Sequence, residues 1–479
     1  MSQFITDLEP KILWENFNNL NAIPRASTKE EEAIAFVKNF GKQLQLETVV
    51  DKTGNVIIRK PGTLGKENDK TVVLQGHLDM VHQKLSGSSF DFDTQGIEMY
   101  IDGDWVKARE TTLGADNGIG SAAIMAVLAS TNLVHPPLEA LFTIDEEMGM
   151  TGAMALTTEQ LKGEILLNLD SEEDDEITIG CAGGVDVAIT SSYETELLDN
   201  SFQFFELKIA GLTGGHSGVD IHLNRANAIK ILPELLLNIE VEIRIATIES
   251  GSLTNVIPRD SRVVLAVKNT EAEKLEKLVK ENFSLLQSHY SNTDPKLNIE
   301  LVKTEEVYSV MAKAFQSDVL KSIKEIPNGV FSMTEGMSDL VQTSNNISVI
   351  SVKHGAFKVL CHTRSSVDQE RDSLVKLIEN CFLFAKVSQI GPYPGWKPQP
   401  DSLLLKKAIA CYTQINNVKP AIKSIHAGLE CGILSETFPQ MEMISFGPNI
   451  LGAHSPDERL QISSTQKFWL FLTRLLEEI

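Results

Sequence analysis

Short apolar, β-rich runs alternate with helical stretches along the first part of this chain, and several of the runs break off at a histidine or an acid. LETVVD, NVIIRK and TVVLQGHLDMV read as strands, GIGSAAIMAVLAS as a buried helix, then LEALFTIDEE and EILLNLD as strands again. That alternation predicts an α/β fold with a mixed sheet covered by helices. Upstream, Thr28 followed by Glu31 has capping-box spacing, which predicts a helix running to about Gly41 with the glycine as its stop.

The character changes near residue 187. From 188 to 390 the chain carries amphipathic helices, RANAIKILPELLLNI and TEAEKLEKLVKENFSLLQSHY, among strands such as SRVVLAVKN. An inserted α+β domain is expected there, its far edge marked by the proline- and glycine-rich GPYPGWKPQPDS. The remainder, with the strand-like MEMISFGP and the closing helix SSTQKFWLFLTRLLEEI, is short for a core of its own. It is expected to return to the first domain, giving a discontinuous domain of 1–187 and 391–479 around the insert.

Composition narrows the class of partner. Lys plus Arg number 43 against 65 Asp plus Glu, a net charge of −22. A field of that sign repels nucleic-acid phosphates and anionic lipid and tolerates cations, so neither nucleic acid nor membrane is an expected partner. No basic segment followed by an apolar core opens the sequence, and no apolar run reaches the roughly 18 residues of a membrane span. The five cysteines are far apart and never in a CxxC pair, the usage of a reducing compartment, so a cytoplasmic location is expected.

The chemistry sits where strands end. VVLQG stops at His77, ALFTID at Glu146 and Glu147, ILLNL at Asp170, and MISFGPNILGA leads to His454; the turn LGADNGIG offers Asp116 before a helix. Ligands of open α/β sheets bind outside the carboxyl ends of the strands, and mixed imidazole and carboxylate donors suit zinc or a similar divalent ion. Five donors exceed what one catalytic zinc needs, so two ions are expected, with a carboxylate able to bridge them. Asp79, two residues after His77, is placed to orient the imidazole. Glu146, beside a ligand but pointing differently, is free to take a proton from water that a metal has acidified from a pKa of about 15.7 toward about 7.

These residues lie in motifs that resemble the M20 family of di-zinc peptidases, and within it the aminoacyl-histidine dipeptidase branch. The motifs are GHLDMV at 76–81, LGADNGIGSA at 113–122, DEEMGMTGA at 145–153, LNLDSEE at 167–173, GGHSGVDI at 214–221 and GAHSPDE at 452–458. IPRAS at 23–27, HLNRANA at 222–228 and SLTNVIP at 252–258 also fit. The resemblance spans nearly the whole chain and implies a zinc-peptidase-like catalytic domain with an inserted lid. It implies two Zn2+ per subunit, Mn2+ or Co2+ being possible substitutes: His77, Asp116 and Asp170 on one ion, Asp116, Glu147 and His454 on the other. Glu146 resembles the general base and Asp79 the carboxylate that orients His77. The peptide bond after Asp116 is expected to be cis.

On the insert, His216 resembles the lid histidine that stabilises the oxyanion, and Asn255 a residue contacting the substrate backbone. Arg364, in CHTRSS, is expected to pair with the substrate carboxylate, because guanidinium binds carboxylate bidentately. HAGLECG at 426–432 resembles a segment near the substrate pocket, where His426 and Glu430 are candidates. The function so implied is dipeptide hydrolysis, Xaa-His substrates included, by a homodimer acting on small peptides. The alternatives are an M20-type amidohydrolase of N-acyl amino acids and a metal-binding relative without turnover.

Overall fold

The run that ends at His77 forms the strand Val72–His77, and all of its residues are buried. A strand buried at every position lies inside a sheet covered on both faces. Its neighbours Leu138–Thr143 and Ile165–Asn168 run parallel to it and are buried along their whole lengths as well. The computed structural model describes residues 4–304, 309–335 and 340–479. The chain divides into two compact units, one reaching to Cys181 and resuming at Trp396–Ser424 and Leu429–Ile479, the other made of Ala182–Gly395 and Ile425–Gly428.

Among the described residues, the first unit is built on an eight-stranded sheet. Its order is Glu47–Val50, Val56–Lys60, Leu138–Thr143, Val72–His77, Ile165–Asn168, Glu442–Ser445, Glu176–Cys181 and Ala421–Ile425. The four strands from Leu138–Thr143 to Glu442–Ser445 are parallel, while Val56–Lys60 and Glu176–Cys181 join them antiparallel, so the sheet is mixed. Successive residues feed opposite faces. Val72, Leu74, Ala140 and Leu167 pack with the helix Ala115–Ala129, whereas Val73, Leu141 and Leu166 pack with Cys431 and Leu434 of the helix Glu430–Thr437. The C-terminal segment packs into this core. Glu442–Ser445 lies in register with Ile165–Asn168, and Phe468, Phe471 and Leu472 of the helix Ile462–Glu478 join the same cluster.

The expected start of the second helix is not what forms. Thr28 lies in the left-handed region at φ 69°, and the helix runs Glu31–Gln43 without a side-chain cap. The Glu30 carboxylate is turned away from the helix amides and accepts the N–H of Thr28 and of Asp145. Gly41 does not stop this helix. It lies inside it, where a Cβ would meet Thr48 Oγ1 and Ile58 Cδ1, so glycine there permits close packing of helix on strand.

The second unit is a separate two-layer structure. Its sheet order is Asn298–Thr304, Phe202–Ala210, Ser261–Lys268, Arg244–Ser250, Val341–Lys353, Ala356–Ser365, Gly183–Ser192 and Lys386–Tyr393, with Gly329–Met333 beside Val341–Lys353 and the described pairings antiparallel. One face carries Val185, Val187, Leu265 and Val359 against Ile229, Leu275, Val319 and Val375 of four helices. The fold is therefore α/β in the first unit with a separate antiparallel-sheet unit. Among the described residues, no helix is long and apolar enough to cross a membrane.

Candidate metal centre

Because the central strands are parallel, their carboxyl ends lie along one edge of the first unit. His77 is the last residue of its strand; Glu146 and Glu147 follow Leu138–Thr143, Asp170 follows Ile165–Asn168, and His454 lies beyond Glu442–Ser445. Asp116 arrives on the helix Ala115–Ala129, and its peptide bond to Asn117 is cis.

The side chains converge. His77 Nε2 lies 3.3 Å from Asp116 Oδ1 and 3.5 Å from Asp170 Oδ1. His454 Nε2 lies 3.1 Å from Asp116 Oδ2 and 3.0 Å from Glu147 Oε2. Asp116 thus turns one oxygen to each histidine. Donor atoms of His77, Asp116 and Asp170, and those of Asp116, Glu147 and His454, lie within 4.8 Å of one another, as do those of His77, Glu146 and Glu147. Glu147 Oε1 and Asp170 Oδ1 are buried without a hydrogen-bond partner. Imidazole nitrogens and carboxylate oxygens in trios, two of the oxygens buried and unpartnered, fit divalent cations of the zinc type.

The electrostatics follow from crowding. Burial, with Asp116 and Glu147 among the like charges, pushes Asp170 up to about 7. Burial likewise holds Glu146 well above the ordinary carboxylate range, and of the charges around it His77 opposes this while Asp170, Glu430 and Glu147 reinforce it. The hydrogen bonds to Asp116 and then Glu147 push His454 up to about 11. For His77 burial works downward, but Asp170, Asp116 and Asp79 outweigh it and the imidazole titrates well above its usual value. Divalent cations would relieve the carboxylate repulsion and invert this pattern.

Around the donors lies a layer of residues with no periodic signal in the sequence. Asp79 Oδ1 is 3.3 Å from His77 Nδ1 and accepts the Glu146 N–H at 3.1 Å; Asp79 Oδ2 accepts from Ser27 Oγ at 2.8 Å and from the Glu147 N–H at 3.3 Å. Arg25 is buried and donates to the carbonyls of Leu78, Asp79 and Gly114 and to Asn21 Oδ1. Gly114 is glycine for two reasons, its φ of 67° and the 2.5 Å that would separate a Cβ from Arg25 Nη2. Arg25 stands in the IPRAS motif, the one trace of its role in the sequence. Glu430 is also buried, with Gln75 Nε2 and Thr143 Oγ1 both donating to its Oε2, and burial pushes it up to about 8. It sits beneath the strand ends rather than on an open surface.

The remaining candidates belong to the second unit and cluster within it. Gly215–His216 pairs with Val256–Ile257, and the Ser217 N–H donates to the Asn255 carbonyl at 2.8 Å. A Cβ on Gly218 would lie 2.1 Å from the His426 carbonyl oxygen, 3.1 Å from His216 Cε1 and 3.2 Å from Arg364 Nε. His216 Nδ1 accepts the N–H groups of Gly218 and Val219, each at 3.1 Å, so the proton of the neutral ring resides on Nε2. Arg364 is buried, with Nη1 3.2 Å from the Tyr393 hydroxyl and Nε unpartnered; His426 Nε2 meets Ser344 Oγ at 2.7 Å and its Nδ1 is unpartnered.

A carboxylate between two histidines at the carboxyl edge of a mixed sheet, with further carboxylates close by, is an arrangement that metallopeptidases use. The chain belongs to peptidase family M20/M25/M40, whose sequence profile matches residues 73–478. It is 38% identical over 479 residues to the cytosol non-specific dipeptidase of Escherichia coli (strain K12), covering 99% of each chain. The crystal structure of aminoacylhistidine dipeptidase from Vibrio alginolyticus superimposes with a TM-score of 0.93 at 40% identity, covering 100% of this chain and 98% of that one. The aminopeptidase PepT of Bacillus cereus ATCC 10987 shares the fold at 16% identity, with a TM-score of 0.57 and 98% and 99% of the chains covered.

Proposed function

We propose that this chain is a metal-dependent dipeptidase, acting in the cytoplasm on dipeptides that include Xaa-His, as a homodimer with two zinc ions per subunit. The observation that carries the reading is the division of Asp116, one oxygen toward His77 and the other toward His454, with Glu146 left over beside them. The names of the Escherichia coli and Vibrio relatives support the substrate class.

His77, Asp116 and Asp170 would hold one cation, and Asp116, Glu147 and His454 the other, with Mn2+ or Co2+ able to substitute for zinc. Bound there, the cations supply Lewis-acid polarisation of the scissile carbonyl and lower the pKa of water. Glu146 accepts the proton of the attacking water and returns it to the leaving nitrogen. Its raised proton affinity suits a base that must hold the proton between the two events. Asp79 keeps His77 and the Glu146 backbone in place. On the second unit, which we read as the lid, His216 offers its Nε2–H to the developing oxyanion, Arg364 and His426 receive the substrate carboxylate, and Asn255 contacts the peptide backbone.

The test is hydrolysis of a panel of dipeptides, tripeptides and N-acyl amino acids with and without chelator, together with light scattering for the mass. Cleavage of dipeptides alone, abolished by chelator, is expected. Activity indifferent to chelator, or confined to N-acyl amino acids, would overturn the reading.

A further inference from the structure

The loop that delivers the exposed His454 ends in a buried carboxylate. Glu458 is 2% exposed, and its carboxylate faces a run of backbone amides. Oε2 accepts the N–H of Leu113 at 2.7 Å and of Gly114 at 3.0 Å; Oε1 accepts the N–H of Ala115 at 2.8 Å and of Asp116 at 3.3 Å. Four consecutive amides can converge on one carboxylate because Gly114 adopts the left-handed conformation, which curls the backbone into a concave nest. They include amides at the start of the helix Ala115–Ala129, which have no partner within the helix. From the other side, Arg25 Nη2 donates to the Gly114 carbonyl at 2.5 Å. The segment ending in Asp116 is therefore gripped on both its N–H and its carbonyl side.

We propose that Glu458 is the positioning residue that fixes Asp116 between the two halves of the metal centre. The inference rests on the metal-centre reading and deepens it. Glu458 follows His454 by four residues, so one loop sets both partners of the 3.1 Å contact between His454 Nε2 and Asp116 Oδ2. A bridging carboxylate must present both oxygens at once, and a shift of its backbone by about 1 Å would lose one of them. Arg25 alone leaves the N–H side free to turn, whereas four hydrogen bonds to one planar group fix rotation as well as position.

Glu458→Gln tests this, because the amide keeps the size of the side chain while its NH2 turns donor against two of the four N–H groups. Zinc affinity is read on the folded protein by competition with a chromophoric chelator, well below the melting temperature. The variant is expected to bind zinc about 10- to 100-fold more weakly, and saturating zinc is expected to restore much of its dipeptide turnover. Zinc affinity within twofold of the wild type, with only a lowered melting temperature, would make Glu458 a structural cap and overturn the proposal. If Glu458→Gln does not fold, Glu458→Asp takes its place. It keeps the charge, cannot span all four amides, and is expected to give the same weakening at an unchanged circular dichroism spectrum. Wild-type protein that takes up no zinc would sink the metal-centre reading itself, a failure distinct from a variant that binds as the wild type does.

Discussion

Asp79 holds Glu146 by its backbone: Oδ1 accepts the Glu146 N–H at 3.1 Å while lying 3.3 Å from His77 Nδ1. The carboxylate beside His77 Nδ1 therefore also ties down the turn that carries Glu146, the proposed base. Replacing Asp79 with Ala should weaken metal binding about 10- to 100-fold and also lower turnover at saturating metal. A titration of activity against zinc separates the two effects. Recovery of full turnover at high zinc would mean that the tie to Glu146 has no catalytic weight.

Glu146 should be separable from the metal. Glu146→Gln is expected to lower kcat by about 10²- to 10⁴-fold while the purified protein retains wild-type metal content by elemental analysis. Loss of metal together with activity would instead make Glu146 a ligand, a role its placement within reach of His77 and Glu147 permits.

Metal removal should be visible in stability as well as in turnover. A cation that binds only the folded chain stabilises it by about 2.7 kcal/mol at 100 times its Kd. Chelator should accordingly lower the melting temperature of the first unit, with zinc restoring it, whereas His77→Ala protein should show little response to either.

On the second unit, His216→Gln is expected to reduce kcat by about 10²- to 10³-fold with a small change in KM, the signature of a donor used in the transition state. A change confined to KM would assign His216 to ground-state binding.

The second unit should also lose stability in acid. Burial, then the charge of Arg364, pushes His426 down to about 3 from an ordinary 6.5, and burial with Arg364 pushes His216 down to about 4. An unfolded chain takes up these protons as the pH falls below 6.5, while the folded chain does not until near 3–4. Stability is therefore present above pH 6.5 and declines as the pH falls from there toward the folded values. Melting temperatures measured across that range should fall less steeply for His426→Gln than for the wild type, and parallel curves would argue against His426 as a source of the slope.

The strand that ends at His77 and the one that leads to Asp170 were legible because a strand covered on both faces is mostly apolar, and a ligand-type residue where such a run breaks off stands out locally. The candidate donors Glu146 and Glu147 stood out in the same way, whereas Asp116, on a helix, and His454, well beyond its strand, stood out through their motifs. Arg25 and Glu458 were not, although both stand in those motifs, because their partners are backbone carbonyls and amides that leave no mark in side-chain identity. The spacing of Thr28 and Glu31 suggested a local cap, but the long-range hydrogen bond of Glu30 to the Asp145 amide prevailed over it.

The amino-acid sequence by itself determined which elements form and which chemical groups they carry, since burial pattern and donor type are properties of short segments. Only the tertiary structure decided that Asp116 turns one oxygen to each of two histidines, and that one loop carries both His454 beside Asp116 and Glu458 against the backbone amides before it. The contacts of His454 and Glu458 with the segment at Asp116 join residues more than 300 positions apart, and packing of the whole chain alone fixes them.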